Sequence, residues 1–199
     1  MFVTRTDSDI CIALIKKCGN TSIHEWVMSN RKGREITNAQ AANYKLAIAF
    51  FRNPIERTRS LFSHLRRVIC DFGGETDILP AKDIYIEGRG VQGDYEAFID
   101  NILVSNEDHR NTQVDLVSEN GVFIPNRLHR LDDLNDVCES YFEGVLPWTH
   151  RYSRYKGVDE SYRASELRQI YANDLTIWNA IPAGGMLEGA ELADLVRSL

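Results

Sequence analysis

Hydrophobic positions along this chain gather first into two short, unbroken runs, Ile10-Cys11-Ile12-Ala13-Leu14-Ile15 and Leu46-Ala47-Ile48-Ala49-Phe50-Phe51. Neither run alternates with polar residues and both are short for a helix, so each predicts a β-strand buried on both faces. A helical pattern follows each one. After the first, Lys16-Lys17-Cys18-Gly19-Asn20 leads into a helix. After the second, Asn53-Pro54-Ile55-Glu56 supplies a capping side chain, a proline at the first helical position and an acid at the third. This second helix repeats apolar residues at Ile55, Phe62, Leu65 and Ile69, with Leu61 and Val68 widening the stripe. Further helices are predicted over residues 95–104, 132–142 and 165–181, a strand over 122–131, and loops over 71–93 and 118–125. Two buried strands that each turn straight into a helix predict an α/β fold: a parallel sheet flanked by helices, with ligands at the carboxyl ends of the strands.

Composition narrows the picture. The 199 residues amount to about one domain at roughly 150 residues each, and no repeat or proline-rich linker divides them, so a single domain over residues 1–199 is expected. A net charge of −6 disfavours a surface that tracks nucleic acid, but leaves room for a local basic pocket. No apolar run approaches the roughly 20 residues that cross a bilayer, and the start Met1-Phe2-Val3-Thr4-Arg5-Thr6-Asp7 lacks a signal-peptide core, so no membrane insertion is expected. Cys11, Cys18, Cys70 and Cys138 are widely spaced, which suggests neither a zinc site nor a disulfide framework. Reduced thiols fit a cytoplasmic location.

Candidate chemistry lies in the two strand-to-helix loops. Lys17-Cys18-Gly19-Asn20-Thr21-Ser22 places a cation, a flexible link and two hydroxyls at a helix N-terminus, whose free N–H groups and dipole favour an anion. The lysine precedes the glycine, unlike the Walker pattern, so an ATPase or GTPase loop is disfavoured. At the second loop Arg52 ends the strand and Ser60 lies two turns into the helix, sharing a face with Asn53 and Arg57. A guanidinium and a helical hydroxyl suit a second phosphate. For either arginine alone, pairing with Glu56 or with solvent is the competing reading.

Together the loops resemble those of the sulfotransferases that use 3′-phosphoadenosine-5′-phosphosulfate. Lys17-Cys18-Gly19-Asn20-Thr21-Ser22-Ile23 resembles their 5′-phosphosulfate loop, with Lys16 standing where a proline is usual. Phe51-Arg52-Asn53-Pro54-Ile55-Glu56-Arg57-Thr58-Arg59-Ser60-Leu61-Phe62 resembles their 3′-phosphate signature in its carbohydrate-sulfotransferase form. The resemblance implies a fold related to the P-loop nucleotide kinases, with Lys17, Thr21 and Ser22 on the 5′-phosphosulfate and Arg52 and Ser60 on the 3′-phosphate. It also implies an acceptor hydroxyl, carbohydrate in class, and 3′-phosphoadenosine-5′-phosphate as product.

A third stretch, Asn106-Glu107-Asp108-His109-Arg110-Asn111-Thr112-Gln113, is similar to the family's His-Trp-x-Pro-Gln segment at His109 and Gln113, with Arg110 and Thr112 in place of Trp and Pro. The resemblance makes His109 the general base, a role its ordinary pKa suits. Glu25, one turn after Thr21, competes for that role. His24 points elsewhere on its helix, and His64, His129 and His150 have no supporting pattern. Residues 126–136 and Tyr171-Ala172-Asn173-Asp174 resemble later family segments and read as packing elements; Arg154-Tyr155-Lys156-Gly157 reads as a basic loop, either solvated or closing over the nucleotide. Two other classes stay open: a P-loop nucleotide or small-molecule kinase, and a non-catalytic nucleotide-binding relative.

Overall fold

Each of the two apolar runs forms a strand, and the two strands lie side by side. In a computed structural model that describes residues 1–29, 33–72, 88, 90–104, 111–141 and 158–199, strands β1 (Phe2–Arg5), β2 (Ile10–Ala13), β3 (Gly33–Ile36), β4 (Leu46–Phe51), β7 (Arg127–Arg130) and β8 (Leu187–Glu188) build a six-stranded sheet in the order β3-β1-β2-β4-β7-β8. The helices are α1 (Asn20–Ser29), α2 (Asn38–Ala41), α3 (Pro54–Phe72), α4 (Gly90–Val104), α5 (Gln113–Leu116), α6 (Leu134–Tyr141), α7 (Ala164–Ile170), α8 (Ala172–Ala180) and α9 (Gly189–Arg197).

The sheet is mixed, which corrects the expectation of a parallel one. Only β2, β4 and β7 run parallel; β1 pairs antiparallel with both β2 and β3, and β8 pairs antiparallel with β7. Residues 6–9 between β1 and β2 allow a tight turn and nothing longer, whereas a parallel return needs roughly a dozen residues. That turn is closed by Ser8, whose N–H donates to the Arg5 carbonyl (3.1 Å) and whose hydroxyl accepts from the Ile10 N–H (3.1 Å).

Other boundaries differ for local reasons. The strand expected over 122–131 is interrupted at Pro125, leaving β6 (Val122–Phe123) to pair with β5 (Ser118–Glu119) as a hairpin within the expected loop. Its turn residues Asn120 and Gly121 both have positive φ (50° and 76°), as a two-residue hairpin turn demands. The helix expected over 165–181 is two helices, broken at Tyr171, and the one over 132–142 begins as a 3₁₀ turn at Leu131–Asp133.

The described residues fall into two compact units. The first, within residues 1–53, 112–150 and 173–199, contains the sheet. Alternate residues of its strands face opposite ways, and both faces are covered. Phe2, Cys11, Ala13, Ala47, Ala49, Phe51 and Leu128 pack with Ile177 of α8 and Leu192 of α9, while Val3, Ile12, Ile48 and Phe50 pack with Ile23, Trp26 and Val27 of α1 and Leu134, Val137 and Cys138 of α6. Burial on both faces is why β2 and β4 read as continuous apolar runs.

The second unit, within residues 54–111 and 151–172, is helical in its described part. Leu61, Phe62 and Leu65 of α3 are buried with Tyr95, Phe98, Ile99 and Ile102 of α4 and Leu167 of α7, and Ile55 and Ile69 pack at the edge. Phe62 stands edge-on to Tyr95 at 5.2 Å between ring centroids, the orientation that aromatic quadrupoles favour. Among the described residues no helix is long and apolar enough to cross a membrane.

Candidate functional site

The carboxyl ends of β2 and β4 are neighbours, because these strands pair in parallel from Ile10↔Leu46 to Ile12↔Ile48. Beyond β2 the chain turns through Lys17, whose φ of 67° is left-handed, and Gly19, whose φ is 76°. The Cys18 N–H donates to the Ile15 carbonyl (3.0 Å), and the Gly19 carbonyl accepts the first helical bond of α1 from the Ile23 N–H (2.9 Å). Gly19 is required twice over. Besides its φ, a Cβ there would lie 2.8 Å from Leu134 Cδ2 and 3.2 Å from Leu131 Cδ1. Lys17 has no such exemption and holds a conformation that costs an L-residue roughly 1–2 kcal/mol. Strain of this kind gathers at binding sites.

Arg52 is the first residue beyond β4. It is half-buried, and its Nη1 lies 3.4 Å from the Lys17 carbonyl oxygen. The two loops therefore meet in one cationic patch. Burial, then Arg52, then Lys16 push the Lys17 ammonium down from 10.5 to about 8. The N-terminus of α1 adjoins this patch and carries no acid in its first turn, so its dipole adds positive potential. Thr21 is exposed there, Ser22 is buried, and the Cys18 thiol is turned into the interior.

Beneath the patch lies a buried polar hub that sequence reasoning missed. Gln113, at the first position of α5, is fully buried, as is Asp174 on α8. Gln113 Oε1 accepts from the Cys18 thiol (3.0 Å) and from the Arg52 N–H (2.9 Å), and Nε2 donates to the Arg52 carbonyl (2.8 Å) and to Asp174 Oδ2 (3.2 Å). The Asp174 carboxylate in turn accepts from the N–H groups of Gln113 (2.7 Å) and Val114 (3.0 Å), while the Thr112 hydroxyl accepts from the Asp115 N–H (3.0 Å). A sequence signal exists for both, as Gln113 and Asp174 each end a segment with a family resemblance, but nothing in those segments says that the two side chains meet.

The remaining candidates divide. Ser60 is half-buried on α3, in the second unit. Arg57, expected on a shared or exposed face, is buried, and its Nη1 donates to the Asn111 carbonyl (3.0 Å). Glu25 is exposed on α1, and His24 beside it pairs with Glu35 (2.8 Å). His129 is buried against Phe50, its Nδ1 is 3.2 Å from the Gly185 carbonyl, and burial lowers its pKa. His109 and residues 154–157 lie outside the described residues, as does most of the loop over 71–93. Arg130 ends the third parallel strand, but its guanidinium stacks on Trp178 at 4.5 Å and its Nε donates to the Ile181 carbonyl (2.8 Å).

A cleft of about 490 Å³ in the second unit has the opposite character. It is lined by Glu96, Asp100 and Tyr162 among others, and Asp100 already accepts from Tyr162 and Arg163. Its sign is wrong for a phosphate. Among the described residues no cluster of His, Cys, Asp and Glu could hold a metal ion.

Comparison with known proteins gives no match: no family model fits the chain, and no curated protein or solved structure is significantly similar to it. The chemistry of the site thus rests on its own geometry. Two crowded cations and a helix N-terminus, set where parallel strands end, can bind and polarise a phosphate or sulfate group.

Proposed function

We propose that the chain is a sulfotransferase that moves a sulfuryl group from 3′-phosphoadenosine-5′-phosphosulfate to an acceptor hydroxyl, carbohydrate in class. The observation that carries this reading is the contact of Arg52 with the Lys17 loop at the carboxyl ends of adjacent parallel strands. Burial, Arg52 and Lys16 disfavour the Lys17 ammonium, and a dianionic ligand relieves that cost. The motif resemblance supplies the identity of the ligand, and Ser60 enters the reading through that motif alone.

In this mechanism the acceptor oxygen attacks sulfur in line, the bond from sulfur to the 5′-phosphate oxygen breaks, and the acceptor proton passes to a base. Lys17 and the N–H groups of α1 stabilise the negative charge that grows on the departing phosphate oxygen; Arg52 holds the 3′-phosphate. The protein contributes alignment and electrostatic stabilisation. His109 is the base the motif assigns, and Glu25 is its rival on α1.

A thermal-shift comparison tests the reading. Stabilisation by 3′-phosphoadenosine-5′-phosphate and none by ATP with magnesium supports it; the reverse makes the protein a kinase of P-loop type. Release of the bisphosphate on adding acceptor and donor separates an enzyme from a nucleotide-binding relative. Turnover reduced at least about a hundredfold in His109→Ala assigns the base, and unchanged turnover moves the role to Glu25.

A further inference from the structure

We infer that Gln113 is a positioning residue: its buried side-chain amide holds the Lys17 loop and Arg52 at a set spacing, and thereby selects ligands that carry anionic groups at two ends of one molecule. The ligand half of this inference rests on the bisphosphate reading above, whereas the spacing half rests on the first unit alone.

A carboxamide offers two donor hydrogens and two acceptor lone pairs, and here all four are used. Oε1 takes the Cys18 thiol and the Arg52 N–H, while Nε2 gives to the Arg52 carbonyl and to Asp174. Engagement of both the N–H and the carbonyl of Arg52 reproduces what a neighbouring strand does. It begins one residue beyond Phe51, where the pairing of β4 with β7 stops at Phe51↔Arg130. The same oxygen grips Cys18, the residue after Lys17. One amide thus joins the Arg52 backbone to the thiol of Cys18, the residue beside Lys17. Asp174 anchors it from α8 through a carboxylate that also receives the Gln113 and Val114 N–H groups.

The hub acts against a definite force. Lys17 and Arg52 repel each other, with Lys16 adding to the effect on Lys17, and a half-buried position weakens solvent screening. Loss of the Gln113 link lets the cations move apart. A fully satisfied buried network is stiff enough to oppose this. Ionised glutamate lacks the donors, leucine lacks both donors and acceptors, and asparagine is a methylene short, so none of the three makes all four bonds.

The test uses Gln113→Leu and Gln113→Glu in the full chain, with two probes. Calorimetry measures affinity for adenosine 3′,5′-bisphosphate and for adenosine 5′-monophosphate, and NMR follows the titration of the Lys17 ammonium in the absence of nucleotide. In Gln113→Leu the bisphosphate should bind about tenfold or more weakly while the monophosphate changes by less than about twofold, and the Lys17 titration should rise above about 8 as Arg52 moves off, with burial, the larger cause, still holding it below 10.5. The glutamate variant should recover two-ended binding relative to wild type on acidification, when its carboxyl regains a donor hydrogen, and the leucine variant should not. Equal weakening for both nucleotides, or an unmoved Lys17 titration, overturns the inference. Failure of the wild type to bind either nucleotide would remove the bisphosphate reading, and the Lys17 titration would still decide whether Gln113 holds the spacing.

Discussion

Arg59, Arg66 and Arg163 of the second unit each meet a carboxylate, whereas Lys17, beyond the carboxyl end of β2, sits among further cations. Arg66 Nε lies 3.0 Å from the wholly buried Asp94, Arg59 pairs with Glu160, and Arg163 bridges Asp100 (2.8 Å) and Glu166 (3.2 Å). Lys17 is influenced instead by burial and by Arg52 and Lys16. Arg130 shows a third arrangement, a cation absorbed by an aromatic face and a carbonyl. Arginine and lysine content therefore says little by itself. What sets Lys17 apart from these arginines is the sign of the charge that the fold places beside it.

Breaking the ion-paired side of this contrast should have the largest effect. Arg66→Ala takes a charged partner from the wholly buried Asp94 carboxylate, and removal of one partner of a buried pair costs about 3–5 kcal/mol. Urea unfolding should register that loss while adenosine 3′,5′-bisphosphate affinity stays near wild type; a stability change below about 1 kcal/mol, the range of an exposed pair, would refute the assignment. At the cationic patch the pattern reverses. Arg52→Ala or Lys17→Met should weaken bisphosphate binding by roughly 1.5–3 kcal/mol, the value of a hydrogen bond to a charged group, with little loss of stability. Equal binding by wild type and both variants would show that the patch is not the ligand site.

Gly19→Ala should cost stability of about 1–2 kcal/mol from its left-handed φ, with the Leu134 contact adding to it; an unchanged melting temperature would mean the turn is not held in this form. A pH dependence comes last. Lys17 titrates near 8 when folded and near 10.5 when unfolded, so between those values the unfolded chain holds more protons and this group's contribution to stability rises with pH. Anion binding follows the opposite sign, because the folded site loses its ammonium. Bisphosphate affinity should fall as pH passes about 8 in wild type and should be flat there in Lys17→Arg, whose charge persists.

Much of the candidate site is legible in the chain before folding is considered. The unbroken apolar runs place Lys17 and Arg52 just beyond two strands, and Gly19 marks the turn into α1. Other residues give no such signal. Arg57 follows Glu56 in a charged stretch, and nothing local marks it as buried beneath a contact to Asn111. β1 escapes notice because four residues ending in arginine are too few to establish a period.

Sequence alone determined which segments carry apolar faces, where helices begin and which cations follow the strands, since these depend on residues a few positions apart and on local backbone sterics. Only the tertiary structure decided that the sheet is mixed, that Arg52 leans on the Lys17 loop, and that Gln113 and Asp174 lie beneath both. Those outcomes join residues as far as 95 positions apart, and hydrogen-bond partners at such separations are chosen by how the strands stack and pair, which no local pattern encodes.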